Sequence, residues 1–282
     1  MRTTPFDLAR FKAEGRRWAM LTAYDYSSAL IAEAAGVPVL LVGDSMGNVV
    51  HGRGDTLSVT VDDIVRASQS VVRATQSAMV VADMPFLSFR DDATAIASAG
   101  RMLSEGGAGA VKLEGGGAVV AIVRRLVELG IPVMGHLGFT PQSAGTIGLK
   151  VQAKDVEGAR RLIADAEALQ AAGAFALVLE LVPAQLAAEV SRRLTIPVIG
   201  IGAGPECDAQ VQVWHDLLGL FDGRSPRHAR RFAEIGQAMR EAVAAYVGEV
   251  EAGSFPTDAQ SSRKMEDGAL DEALGSIYGR GG

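Results

Sequence analysis

PVLLVGDSMG, residues 38–47, is an apolar run that ends in a glycine, an acid and a hydroxyl. Residues 38–42 show no alternation of polar and apolar positions, so a strand formed there would be buried on both faces. Strands of this kind are typical of parallel sheets that are covered by helices. Asp44 and Ser45 come where the predicted strand ends, and the same arrangement recurs along the chain.

The recurrence of such runs predicts the fold. Segments with apolar residues at helical spacing lie between most of them. The eight predicted strands cover residues 18–23, 38–43, 78–83, 110–115, 132–137, 176–181, 197–202 and 211–216. Eight strands that alternate with helices over about 200–250 residues predict a single-domain (β/α)8 TIM barrel. An open, doubly wound parallel sheet is the alternative. We assign residues 1–256 to the catalytic barrel and interpret residues 257–282, where the pattern ends, as a C-terminal tail.

Composition excludes several classes of partner. The net charge of −6 and the pI near 5.3 argue against nucleic acid, which requires a basic face. Cys207 is the only cysteine, so no intramolecular disulfide can form. No stretch approaches the roughly 20 apolar residues of a membrane span. We therefore expect a soluble, cytoplasmic protein.

Polar and charged residues lie at or near the carboxyl ends of most of the predicted strands, where barrel enzymes place their chemistry. They are Tyr24, Asp25, Asp44, Ser45, Asp83, Lys112, Glu114, His136, Glu180, His215 and Asp216. Buried charges are costly unless they are paired or bind a metal. Carboxylates without a cluster of cysteine or histidine ligands favour Mg²⁺, with Mn²⁺ as the alternative, over zinc. The residues alone predict a divalent-metal enzyme that acts on a small oxygenated anion. We expect Asp25, His215 and Asp216 to be structural.

Seven motifs carry a resemblance to a known family. They are LTAYDYSSA, LLVGDSMGNVV, VVADMPF, AVKLEGG, GHLGFTPQS, LVLELVP and IGIGAGPECDAQVQVWHDLLG. In order and spacing, over about residues 3–256, they resemble the ketopantoate hydroxymethyltransferase family of the phosphoenolpyruvate mutase/isocitrate lyase superfamily. The resemblance implies hydroxymethyl transfer from 5,10-methylenetetrahydrofolate to 3-methyl-2-oxobutanoate, which forms 2-dehydropantoate for pantothenate and coenzyme A biosynthesis. It also implies one divalent metal per subunit, Mg²⁺, and a homodecamer.

The resemblance also implies roles for seven residues. Asp44 and Asp83 would bind the metal, and Glu114 would hold it directly or through water. Ser45 and Lys112 would bind the substrate carboxylate, and His136 would lie near the keto oxygen. Glu180 would be the general base that takes the C3 proton.

The chain departs from the family pattern at several positions. Ala67 and Gln69 stand where the family usually has histidine and arginine, and Ile147, Ala153 and Ala209 also differ from its motifs. These departures leave open whether folate use and the choice of 2-oxo acid match the family. Two alternatives therefore stand beside the transferase. One is a folate-independent carbon–carbon lyase or aldolase of the same superfamily, and the other is a non-catalytic paralogue.

Overall fold

A computed structural model describes residues 1–221, 226, 228–262 and 265–279. Eight parallel strands close into a barrel in chain order, which confirms the predicted (β/α)8 fold. The strands are β1 Trp18–Thr22, β2 Val39–Val42, β3 Met79–Asp83, β4 Ala110–Glu114, β5 Val133–Gly138, β6 Ala176–Glu180, β7 Val198–Ile201 and β8 Ala209–Gln212.

Helices precede, separate and follow the strands along the chain. They are α1 Pro5–Ala13, α2 Tyr26–Ala34, α3 Met46–Val49, α4 Val61–Ala74, α5 Asp92–Ser104, α6 Val120–Glu128, α7 Ala144–Ile147, α8 Val156–Ala171, α9 Ala184–Arg193, α10 Trp214–Leu218, α11 Ile235–Glu251 and α12 Ala269–Tyr278. Short 3₁₀ turns occupy Gly117–Val119, Pro141–Ser143 and Asp258–Gln260.

Apolar strand residues fall into two sets that alternate along each strand. One set packs with α1 to form a core inside the barrel, and it includes Met20, Leu41, Val81, Met134, Val178 and Ile201. The other set packs against the surrounding helices, and it includes Leu21, Leu40, Ala82, Leu113, Leu177 and Leu179. Because side chains point alternately to the two faces of a strand, every second residue is directed into the barrel. This alternation determines which polar residues can reach the barrel mouth.

The eighth strand differs from its prediction. Residues 211–216 were expected to form it, but β8 ends at Gln212 and Trp214 begins α10. Pairing with β1 aligns Trp18 with Ala209 and Leu21 with Gln212, so the strand begins two residues earlier than expected. The N–H of Trp214 donates to Thr22 Oγ1 (2.8 Å), which draws the chain out of the sheet. His215 and Asp216 therefore lie on a helix and not at a strand end.

The chain divides into two compact units, Met1–Ala233 with the barrel and Glu234–Gly282. The second unit contains α11 and α12, and α12 lies within the residues that the sequence analysis treats as a tail. Within the described ranges, no helix combines the length and hydropathy needed to cross a membrane.

The side-chain carboxylate of Glu33, on α2, binds the backbone of the segment just before β3. Glu33 accepts hydrogen bonds from the backbone N–H groups of Gln76 (2.9 Å), Ser77 (2.7 Å) and Ala78 (2.7 Å). Burial acts to raise the pKa of Glu33, but these donors outweigh it and lower the pKa to about 2. The ionised carboxylate therefore stabilises the folded barrel.

We expect Glu33→Gln to lower the free energy of unfolding by about 1–3 kcal/mol, because charge-assisted hydrogen bonds are lost. The folded-state pKa lies below the ordinary value of 4.5, so the carboxylate's contribution is complete above that pH. It is lost as pH falls through 4.5 toward 2. Denaturant unfolding at pH 7 and pH 3.5 should show the difference between wild type and variant shrinking at the lower pH.

Glu128→Gln serves as the matched control. Glu128 ends α6 and makes an exposed ion pair with Arg125 (3.5 Å), so its loss should change stability by less than about 0.5 kcal/mol. A difference for Glu33→Gln that stays constant between the two pH values would contradict the proposed role of the Glu33 carboxylate.

Candidate active site

Five of the predicted site residues lie on the inward face of four consecutive strands. Asp83 ends β3, Lys112 and Glu114 lie on β4, His136 lies on β5, and Glu180 ends β6. The strand register pairs Asp83 with Lys112 and Glu114 with His136. All except Glu180 are nearly completely buried, and the Glu180 side chain is 14% exposed. The barrel thus gathers these groups at its mouth, with Glu180 the most accessible.

Lys112 is the buried cation of this cluster. Its Nζ lies 2.8 Å from Asp83 Oδ1 and 3.8 Å from Glu114 Oε1. Burial acts to lower the pKa of Lys112, but the charges of Asp83, Glu114 and Asp44 outweigh burial and raise it. Lys112 therefore stays an ammonium group and offsets part of the surrounding negative charge.

Asp44 and Asp83 are neighbours at the ends of β2 and β3. The backbone N–H of Asp44 donates to Asp83 Oδ2 (3.2 Å). Burial and then the charges of Asp83 and Glu114 raise the pKa of Asp44 well above its ordinary value. Burial also raises the pKa of Asp83, although Lys112 opposes the shift. The two carboxylates therefore carry more buried negative charge than Lys112 compensates.

Gln142, in the turn after β5, connects three parts of the site. Its side-chain Nε2 donates to Asp44 Oδ2 (2.9 Å) and to the carbonyl of Met84 (2.9 Å). Its backbone N–H donates to Glu114 Oε2 (3.1 Å). No sequence pattern assigns Gln142 a role. It lies in the motif GHLGFTPQS, but only the folded turn brings it to residues far away in the chain.

His136 lies between two carboxylates. Its Nδ1 is 3.4 Å from Glu114 Oε1, and its Nε2 is 3.4 Å from Glu180 Oε2. Burial and the charge of Lys112 act to lower the pKa of His136, but Glu114 and Glu180 raise it to about 9. Each ring nitrogen thus faces one carboxylate, and the Lys112 ammonium lies 3.3 Å from Nδ1 and 2.8 Å from Asp83 Oδ1. His136 therefore places positive charge beside the Glu180 carboxylate at the mouth.

The backbone around Glu180 is tightly constrained. Leu181 takes a left-handed conformation (φ 47°), which is costly for a residue with a branched side chain. Its carbonyl accepts from the N–H of Gln152 (2.8 Å), next to Ala153. Gly138 has φ 96°, and a β-carbon there would collide with the carbonyl oxygen of Glu180. The loop that contains Ile147 and Ala153, two departures from the family motifs, is thus attached by a hydrogen bond to the residue after Glu180.

Ser45 contacts Tyr24, a residue that no sequence motif gives a role of its own. The Ser45 hydroxyl lies 2.9 Å from the Tyr24 hydroxyl. Burial raises the pKa of Tyr24, so its phenol stays protonated and can donate to Ser45. Tyr24 lies just after β1, and this position at a strand end is the sequence feature that could have indicated a place in the site.

The remaining strand-end residues have structural contacts. Asp25 caps α2 by accepting from the N–H of Ser28 (2.9 Å). The ring of His215 stacks on Phe221, with 5.3 Å between ring centroids.

Cys207 is buried, and burial raises its pKa to about 11, so its thiol is not an activated nucleophile.

A divalent cation fits the chemistry of this cluster. Asp44 and Asp83 offer adjacent hard oxygen donors whose negative charge is incompletely offset. Glu114 Oε1 and Gln142 Oε1 are buried without a hydrogen-bond partner among the described residues. Among the described residues, no three His, Cys, Asp or Glu side chains are arranged so that they could bind a metal ion in their present positions. Mg²⁺ needs only one or two protein carboxylates, because water and substrate supply its other ligands.

The fold is shared with solved structures at low sequence identity. Phosphonopyruvate hydrolase, solved in complex with oxalate and Mg²⁺, aligns with a TM-score of 0.61 and 13% identity over 98% of this chain and 99% of that chain. The triclinic form of 2,3-dimethylmalate lyase, a member of the PEP mutase/isocitrate lyase superfamily, aligns with a TM-score of 0.58 and 19% identity over both complete chains. At these identities the likeness concerns the fold alone.

Sequence comparison is much more specific. The 3-methyl-2-oxobutanoate hydroxymethyltransferase of Gluconacetobacter diazotrophicus is 63% identical over 267 residues, which cover 95% of this chain and 97% of that protein. The enzyme of the same name from Roseiflexus sp. (strain RS-1) is 58% identical and covers 97% of this chain and 99% of that protein. The model of the family described as ketopantoate hydroxymethyltransferase matches residues 2–258. The chain therefore belongs to the ketopantoate hydroxymethyltransferase family.

Proposed function

We propose that the chain transfers a hydroxymethyl group from 5,10-methylenetetrahydrofolate to 3-methyl-2-oxobutanoate, with Mg²⁺ as its metal, to form 2-dehydropantoate for pantothenate biosynthesis. The observation that carries the proposal is the buried cluster of Asp44, Asp83, Lys112, Glu114 and His136, with Glu180 at its edge. Its acids and its lysine suit a chelating 2-oxo acid. The 63% identity to a named transferase favours this function over the lyase and the non-catalytic alternatives.

The acids would hold the metal on one side of the mouth. Asp44 and Asp83 are its proposed ligands, with Glu114 as a third ligand directly or through water. A bound Mg²⁺ would polarise the ketone of the 2-oxo acid and lower the free energy of its enolate. Gln142 supports this arrangement because it fixes the orientation of the Asp44 carboxylate.

Lys112 and Ser45 are the proposed partners of the substrate carboxylate. Lys112 is buried, charged and held in place by Asp83, so its ammonium group is oriented before substrate arrives. His136 would lie near the keto oxygen. These contacts would orient C3 of the substrate toward Glu180.

Glu180 is the proposed general base. Its carboxylate is the most exposed of the acids that face the mouth, and His136 Nε2 lies 3.4 Å from its Oε2. It would accept the proton of C3, whose electron pair then forms the bond to the methylene carbon of the folate. Overall, CH₂OH replaces the C3 proton, one water is consumed and tetrahydrofolate leaves.

We also propose that the enzyme is a homo-oligomer, a homodecamer by family resemblance, with a (β/α)8 catalytic domain over residues 1–256. Its cytoplasmic location stays a prediction from composition.

Deuterium exchange tests the enolisation step without folate. Incubation of the protein with 3-methyl-2-oxobutanoate and Mg²⁺ in D₂O should remove the C3–H signal from the NMR spectrum. A chelator should stop the exchange, and added Mg²⁺ should restore it. Exchange that persists at full rate in excess chelator would contradict the role of the metal.

Glu180→Gln should reduce this exchange by at least about 100-fold, because positioned proton acceptors contribute about 10²–10⁴-fold to rate. Binding of Mg²⁺ and of 3-methyl-2-oxobutanoate, measured by calorimetry, should be retained. Glu189→Gln changes an acid on the exposed face of α9 and is the matched control. Wild-type exchange in the Glu180 variant would remove Glu180 from its role.

Asp83→Asn should weaken Mg²⁺ binding at least about tenfold, because an amide replaces a charged hard ligand of nearly the same size. Calorimetric titration with Mg²⁺ measures the change directly, and Asp271→Asn on the exposed α12 is its control. Unaltered metal affinity in Asp83→Asn would show that the proposed ligand set is wrong.

A further inference from the structure

We propose that a cavity beside the acid cluster binds the p-aminobenzoyl-glutamate part of the folate cosubstrate, an inference that rests on the proposed function. The cavity has a volume of about 480 Å³, within the usual range for sites of small ligands. It is lined by Leu57, Ser58, Val59, Thr60, Val61, Pro85, Phe86, Leu87, Ser88, Arg90, Thr94 and Ser98.

The loop after β3 connects this cavity to the site. Asp83 ends the strand, and Pro85 is the first residue of the loop that lines the cavity. Met84, between them, is buried and its carbonyl accepts from Gln142 Nε2 (2.9 Å). The part of the loop that lines the cavity therefore starts two positions in the chain after a proposed metal ligand, and Gln142 bonds both to Met84, just before it, and to Asp44.

Two side chains from different loops offer apolar surface to a flat ring in the cavity. Phe86 and Leu57 are each 42% exposed, although both line a concave surface. Leu87 holds a left-handed conformation (φ 62°), a strain that typically persists at functional positions. A p-aminobenzoyl ring stacked on Phe86 would cover this surface.

Polar groups lie farther along the same loop. The hydroxyl of Ser88 is buried without a hydrogen-bond partner among the described residues, although most buried hydroxyls have one. Arg90 is the only charged side chain among the described residues that line the cavity. Its guanidinium lies 3.2 Å from Asp91 in an exposed pair, which contributes little and leaves most donors available. A carboxylate of the ligand would pair with Arg90.

The loop before α4, which carries Leu57 and Ser58, is held in place by hydrogen bonds of Arg53 and Asn48. The guanidinium of Arg53 donates to the carbonyl of Ser58 (2.6 Å), and its backbone N–H donates to the carbonyl of Gly47 (2.8 Å). Asn48 Nδ2 donates to the carbonyl of Arg53 (3.0 Å). These bonds join the loop before α4 to α3, immediately after Asp44 and Ser45.

Along the loop that follows Asp83, Phe86 comes before Arg90, and we align the folate with this order. The reactive methylene carbon must reach C3 of the 2-oxo acid, so the pterin end faces the acid cluster at Asp83. The p-aminobenzoyl ring then falls at Phe86 and the glutamate at Arg90. This order favours a ligand that has an aromatic ring in its middle and an anionic group at the end away from the acid cluster.

Steady-state kinetics of Phe86→Ala and Arg90→Gln test the assignment, with 5,10-methylenetetrahydrofolate and its pteroate analogue, which lacks the glutamate. Phe86→Ala should raise KM for both donors about tenfold, equivalent to about 1.4 kcal/mol. Arg90→Gln should raise KM for the folate and leave KM for the pteroate unaltered. Leu129→Ala and Arg125→Gln, on the far exposed end of α6, are matched controls that should leave both values unaltered.

Folate-free deuterium exchange separates this proposal from the proposed function. Both cavity variants should exchange C3–H as the wild type does, which shows that they fold and bind the 2-oxo acid. Normal exchange with wild-type KM values in both variants would overturn the cavity assignment alone. Wild-type protein that neither exchanges C3–H nor turns over with folate would overturn the proposed function instead.

Discussion

The site depends on the ammonium group of Lys112, which is buried among carboxylates. Asp44, Asp83 and Glu114 face the same narrow mouth, and burial makes their mutual repulsion costly. Lys112 contacts Asp83 at 2.8 Å and Glu114 at 3.8 Å and offsets part of that cost. Burial, and after it the negative charge of neighbouring acids, raises the pKa values of Asp44 and Asp83. A buried cluster whose negative charge is incompletely offset is suited to bind a metal cation.

Every second residue of a strand faces the barrel interior, and this explains why the charged site residues lie directly above the apolar core. On β4, Ala110 belongs to the apolar interior, and Lys112 and Glu114 follow it on the same face. On β6, Ala176 and Val178 are followed in the same way by Glu180. The residues that pack the barrel interior thereby direct the charged ones above them, so the geometry of the site follows from the packing of the core.

The parts of the site that escaped prediction depend on contacts between distant segments. Gln142 lies in a turn outside the regular strand pattern, yet it bonds Asp44 at a separation of 98 residues. The phenol of Tyr24, which follows β1, contacts the hydroxyl of Ser45, which follows the neighbouring strand β2. The eighth strand ended early because pairing with β1 and the bond from Trp214 to Thr22 overrode a local apolar pattern.

Local patterns in the chain were enough to predict the barrel, seven of its eight strands and the acids and lysine at their ends, because apolar runs and their spacing are local properties. The family motifs in it added the expected activity. Tertiary structure alone decided which charged groups meet: Lys112 with Asp83, His136 with Glu180, and Gln142 with Asp44. The physical reason is that the pKa values and contacts of buried groups depend on neighbours that only barrel closure brings together.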